Sequence, residues 1–140
     1  MRLSLSEIVT KAQELPKAEK VAWLRQNDSL PLRQILRIIY DKNIEVLLPE
    51  TSPPWKKNDY HDVEGMLYKE TRRLRIFLKG GGYDHIDTVK RENLFISLLQ
   101  DIDNNDAELV CKILPRKPLK GLTEATLLEA FPGLFETKLA

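Results

Sequence analysis

The chain has 140 residues, of which 42% are hydrophobic and 31% charged, with a formal net charge of +1. That length and balance describe one folded domain able to bury a core without staples, and they exclude a disordered chain. A charge so near zero excludes a molecule that attracts nucleic acid over its whole surface, so binding of that kind needs a local patch.

The N-terminal stretch 1–16 carries no long apolar run and no cleavage pattern, which excludes a signal peptide. It reads as a first helix. Ser4-x-x-Glu7 fits a capping box, and Ile8, Ala12 and Leu15 form a short apolar stripe. Leu15 precedes Pro16 and so avoids helical backbone, while Pro16 suits the first position of a second helix. Val21, Leu24 and Trp23 give that helix its inner face. Asp28 or Ser29 caps a third helix over about Pro31 to Tyr40, where Leu32, Ile35, Leu36 and Ile39 follow amphipathic spacing. Ile44 to Leu48 is apolar but too short to assign to helix or strand by period. The segment 49–61 is a long loop, since Pro49, Pro53 and Pro54 exclude regular structure.

A fourth helix is predicted over about Val63 to Leu78, with Val63, Met66, Leu67, Leu74, Phe77 and Leu78 on its apolar side. Lys69, Arg72, Arg73 and Lys79 project elsewhere, with Arg75 on the flank. Gly80-Gly81-Gly82 stops the helix. The same glycines also permit close approach of another molecule's phosphate, and the sequence leaves both readings open. Asp87 or Thr88 caps a fifth helix facing inward through Leu94, Phe95, Leu98, Leu99 and Ile102. A sixth carries Leu109, Val110 and Ile113, and Pro115 closes it. A basic linker follows, with Arg116, Lys117 and Lys120. Thr123 then caps a short last helix that Pro132-Gly133 ends. The expectation is an all-α fold, an orthogonal bundle of six or seven short helices, filling residues 1–140 as a single domain.

Chemistry is sparse. The sequence has no P-loop, no nucleophile elbow, no C-x-x-C and no H-E-x-x-H. Asp59, His61 and Asp62 stand close enough to raise a metal reading, but capping aspartates beside a surface histidine are far commoner and explain them better. Asp101, Asp103, Asp106 and Glu108 lack the glycine and final glutamate of a calcium loop and suit a helix N-terminus instead. No metal and no cofactor are therefore expected. Cys111 reads as a small buried hydrophobe. No stretch approaches the roughly 20 apolar residues of a membrane span, so a cytoplasmic location without membrane contact is expected.

The cations carry more information. Lys69, Arg72, Arg73 and Lys79 form one basic group. Lys112, Arg116, Lys117 and Lys120 form another, and between them Glu92 to Glu108 holds acids without Lys or Arg. A solvated face accounts for such runs, and so does phosphate binding.

Two segments resemble a known module. Lys20-Val-Ala-Trp-Leu-Arg-Gln-Asn27 precedes Leu32-Arg-Gln-Ile-Leu-Arg-Ile-Ile-Tyr40. At the other end, Lys120-Gly-Leu-Thr-Glu-Ala-Thr-Leu-Leu-Glu-Ala-Phe-Pro-Gly-Leu134 follows the sixth helix. Their order and spacing, from about Lys17 to Phe135, resemble the N-terminal DNA-binding domain of phage ATP-dependent DNA ligases. The chain is also similar to small proteins of tailed cyanobacterial phages, through Leu48-Pro-Glu, Pro53-Pro54 and Lys120-Gly-Leu-Thr, a likeness that brings no activity. The ligase resemblance implies a helical module of phage origin that grips the double-stranded DNA backbone through loops and helix N-termini. Carried over, the positions are Gly80, Gly81 and Gly82 in one turn and Gly121, Leu122 and Thr123 at the last helix start. With Arg72, Arg73, Lys79, Arg116, Lys117 and Lys120 around them, these would form one anion cradle. The K-x-D-G motif of ligase catalysis is missing, so the expected protein is non-enzymatic. The rival expectation is a module that binds a phage or host protein, with Trp55 and Tyr60 in the long loop as anchors unless Trp55 folds onto the core.

Overall fold

The computed structural model describes residues 3–58, 63 and 65–139. Helix α1 spans Leu5–Glu14, α2 Lys17–Gln26 and α3 Leu30–Tyr40. The capping box forms as its sequence requires: the Glu7 amide donates to Ser4 Oγ at 3.2 Å, and the Ser4 amide donates back to Glu7 Oε1 at 3.3 Å. Pro16 lies just outside α2, and Ser29 caps α3 by accepting from the Leu32 amide. Helix α3 is the central element. Leu32, Ile35, Leu36, Ile38 and Ile39 are buried, and it packs against the segment 66–77 and the C-terminal residues.

The predicted fourth helix is a composite. Helix α4 covers only Met66–Glu70, and a 3-10 helix continues over Thr71–Phe77. Seven residues of 3-10 backbone reach about 14 Å, against about 10 Å for α-helix. The extension brings the end of this run beside the Ile44–Leu48 stretch, settling its ambiguous period. The Leu47 amide donates to Phe77 O at 2.7 Å, the Lys79 amide donates to Glu45 O at 3.0 Å, and Val46 and Leu78 form an isolated antiparallel bridge. The three-residue repeat also sends Thr71, Leu74 and Phe77 inward together.

Helices α5 (Thr88–Asp101), α6 (Asn104–Cys111) and α7 (Glu124–Ala130) follow, each opened by a capping side chain: Asp87, Asp103 and Thr123. A short 3-10 turn over Leu134–Glu136 ends the order. The fold is all-α, with seven α-helices and no strand among the described residues. Helix α5 packs on α6 and on the 3-10 helix, where the Phe77 and Phe95 rings meet edge to face at 5.1 Å. Helix α2 lies between α1 and α7. No helix is long and apolar enough to cross a membrane.

Two buried polar side chains tie the last third of the chain to the first. The Tyr40 hydroxyl donates to Leu122 O at 2.6 Å and accepts from the Leu119 amide at 2.8 Å. Burial pushes its phenol above the usual range, against the opposing pull of the Leu119 amide. Tyr40→Phe strands a buried amide and a buried carbonyl, so a loss of about 1–3 kcal/mol is expected in urea melts. Lys20 is the second tie. Its Nζ donates to Ala12 O at 2.9 Å, Gln13 O at 3.0 Å and Gly121 O at 2.6 Å, capping the C-terminal end of α1 while gripping the turn before α7.

Candidate nucleic-acid interface

Both basic groups border the stretch Asp41–Leu47. Lys79 reaches it through the pairing just described. Arg116 reaches it from the other basic group: its Nη1 donates to Ile44 O and its Nη2 to Asp41 O at 3.1 Å. These carbonyls follow the C-terminal end of α3, where a cation is favoured by the helix dipole. Lys117 stands next to Arg116 in the chain, and Lys42 lies between the two carbonyls that Arg116 holds. Lys42, Lys79 and Lys117 are all exposed. Sequence reasoning missed Lys42, because nothing local to it signals the edge that tertiary pairing builds.

The cations differ in how free they are. Arg73 is half-buried and bound at 3.2 Å to both Glu70 and Asp101, so it staples the 3-10 helix to α5. Lys79 meets Glu45 at 3.5 Å, with both side chains well exposed, a pair that is weak in water. Among the described residues Lys69, Arg72, Lys117 and Lys120 make no ion pair, and all four are exposed. Arg116 is committed to carbonyls, so its charge is spent inside the fold.

The predicted cradle of glycines takes a different form. The two turns rest on different elements. A Cβ on Gly81 would stand 2.1 Å from Arg75 O, and one on Gly121 would stand 2.7 Å from Gln13 O. Close approach does explain both glycines, but the approaching group is the protein's own backbone. The amides are engaged as well. The Gly80 amide donates to the Asp84 carboxylate at 3.0 and 3.1 Å, and the Gly81 amide donates to Leu78 O. The Leu122 amide donates to Leu119 O, and its side chain is buried. Thr123 is exposed, and its hydroxyl accepts the Thr126 amide as the cap of α7. Gly82 is exposed at the tip of its turn.

Trp55 folds back and packs against the core, which leaves it partly exposed. Tyr60 lies outside the described residues, as do Asp59, His61 and Asp62 of the metal reading. Among the described residues no three His, Cys, Asp or Glu gather as a metal site. Cys111 sits 3.4 Å from Ser52 Oγ, and burial pushes its thiol up, away from the reactive thiolate.

A family model described as a family of unknown function, DUF6433, matches residues 6–120. The chain belongs to this family. The DUF6433 match contains both basic groups and Lys20, and it ends one residue before Gly121, whose carbonyl Lys20 holds. No curated protein matches the chain, and no solved structure matches it.

Proposed function

We propose that this DUF6433 protein holds the phosphate backbone of DNA, without reading sequence and without catalysis, as an accessory to phage DNA metabolism. One observation carries the reading: two basic groups separated by nearly forty residues of chain are drawn onto the same stretch, Asp41–Leu47. Three exposed lysines belong to the segments that meet there: Lys42 within the stretch, Lys79 paired to Glu45 through its amide, and Lys117 next to Arg116. Backbone phosphates need no more than such a group of mobile cations, since their contribution comes from counterion release. The resemblance to the ligase module, which contributes no catalytic lysine here, agrees with gripping rather than reacting.

The expected result is duplex binding in the micromolar range at about 50 mM salt, falling steeply as salt rises. The double change Lys79→Ala with Lys117→Ala should reduce the slope of log affinity against log salt by roughly 2. Glu45→Gln, which releases Lys79 from its partner, should strengthen binding. Fluorescence anisotropy on a labelled duplex measures all three. Absence of binding at tens of micromolar protein ends the proposal.

A second reading, docking of a phage or host protein, draws on a groove of about 640 Å³ beside α1 and α6. Its apolar lining comes from Leu3, Val9, Trp23, Leu109 and Leu119. A partner that stays bound after nuclease treatment of the lysate favours this reading.

A further inference from the structure

The switch from α-helix to 3-10 helix at Thr71 changes which cations line up. On an α-helix Lys69, Arg72 and Arg73 would share a stripe. In a 3-10 helix, residues three apart lie one above the other, with about 6 Å of rise per turn. Arg72 and Arg75 are therefore eclipsed, and Lys69, one turn earlier in α4, continues the row. Arg73 leaves it for Glu70 and Asp101. Lys69 and Arg72 are exposed and without an ionic partner among the described residues.

Arg75 is the best positioned of the three. Its guanidinium carbon stands 5.5 Å from the centre of the Tyr83 ring. Its carbonyl is the atom that Gly81 packs against, so the glycine turn is seated directly on the row. The turn is fixed from both ends. Asp84 holds the Gly80 amide, and the buried Arg91 donates through Nη2 to Tyr83 O at 3.1 Å and Asp84 O at 3.3 Å. An arginine resting on an aromatic face loses less side-chain freedom when it binds an anion.

We infer that Lys69, Arg72 and Arg75 form a ladder for consecutive phosphodiesters of one nucleic-acid strand, with Tyr83 as the positioning residue for Arg75. Each strand of a duplex carries a charge every 3.4 Å or so along the axis, and winding around the axis makes the through-space step between neighbouring phosphates longer than that. The three-residue repeat of the ladder, about 6 Å of rise, is of that order. The inference rests on the backbone-binding reading and adds to it which phosphates are held and by what. It applies to a single strand or to one strand of a duplex, because the shared chemistry is the run of phosphodiesters.

The test uses the full chain with a 20-nucleotide single strand and the matching duplex, each titrated at several salt concentrations. Arg75→Ala should weaken binding about ten-fold at 50 mM salt and lower the salt slope by about one contact, roughly 0.7 for the single strand and 0.9 for the duplex. Arg75→Lys should retain the slope. Tyr83→Phe should bind like the parent. Tyr83→Leu should lose about three-fold with the slope kept, because only positioning is lost. Arg72→Ala, at an exposed site, tests the same ladder should Arg75→Ala fail to fold. An unchanged slope in both alanine variants overturns the ladder, and if Lys79→Ala with Lys117→Ala still lowers it, the backbone-binding reading survives alone. A parent protein that binds neither probe overturns both. The probe bound more tightly by the parent identifies the preferred form of the strand.

Discussion

Gly81→Ala should cost about 3 kcal/mol of stability, lowering Tm by roughly 10 °C. The added Cβ would stand 2.1 Å from the Arg75 carbonyl oxygen and 3.1 Å from that of Leu78. Both are backbone atoms, fixed by the hydrogen bonds of the 3-10 helix and the pairing with Glu45 and Leu47, so neither can move aside as a flexible side chain would. The turn must shift instead. That shift disturbs the Gly81 amide bond to Leu78 and the seat of Arg75 together. A glycine kept only to let a ligand approach would behave differently: its alanine variant would melt like the parent and fail only in binding. Thermal melts of the unliganded protein therefore decide between the two origins of the glycine, and the close backbone contact predicts the loss without any ligand present.

The case of Gly81 shows where sequence reasoning about this chain stops. Local signals were legible because their causes are local. Ser4, Ser29, Asp87, Asp103 and Thr123 all cap the helices that follow them, since a side-chain oxygen two or three residues before a free amide needs no tertiary help. The inward faces of α3 and α5 follow from period alone. The composite nature of 66–77 was not legible. Leu67, Leu74, Phe77 and Leu78 fit an α-helical stripe, and only the partner at Glu45–Leu47 requires the longer reach. The positions of the cations inherit that error. A stripe read at α-helical spacing groups Arg73 with Arg72, whereas the folded chain groups Arg75 with Arg72 and spends Arg73 on α5.

Charge alone also failed to separate structural cations from available ones. Lys20, Arg91 and Arg116 look like surface charges in sequence, yet each is committed to backbone carbonyls. They are distinguished by what lies beyond them in space: the end of α1, the 80–84 turn and the end of α3. The carbonyls there are left over by helix and turn geometry, and a long basic side chain is the donor able to reach several at once. Of the six basic residues first assigned to phosphate, Arg73 and Arg116 are held inside the fold, while Arg72, Lys79, Lys117 and Lys120 stay exposed.

Asp106 provides the second large effect, and its size depends on pH. The residue sits in the first turn of α6 with no exposed surface, and its Oδ1 accepts the Ser6 amide of α1 at 2.9 Å. Its Oδ2 has no partner among the described residues. Burial is the main influence on the carboxyl and raises its pKa, with the charges of Asp103 and Glu7 adding to the rise, while the bonds from Ser6 oppose it. A raised folded-state pKa means that the native protein binds the proton more tightly than the unfolded chain does. The resulting stability is fully present below the unfolded value of about 3.9 and is lost as pH climbs through the folded value. Asp106→Asn keeps an acceptor for Ser6 but cannot ionise. Its stability relative to the parent should therefore rise as pH climbs above about 4 and level off once the folded carboxyl has ionised. Asp106→Ala removes the acceptor and leaves a buried amide unpaired, a cost of about 1–3 kcal/mol that cavity formation adds to. Urea melts of all three proteins across that range test the account. A difference between Asn and parent that stays flat with pH would show that the carboxyl is not held in the protein's interior as described.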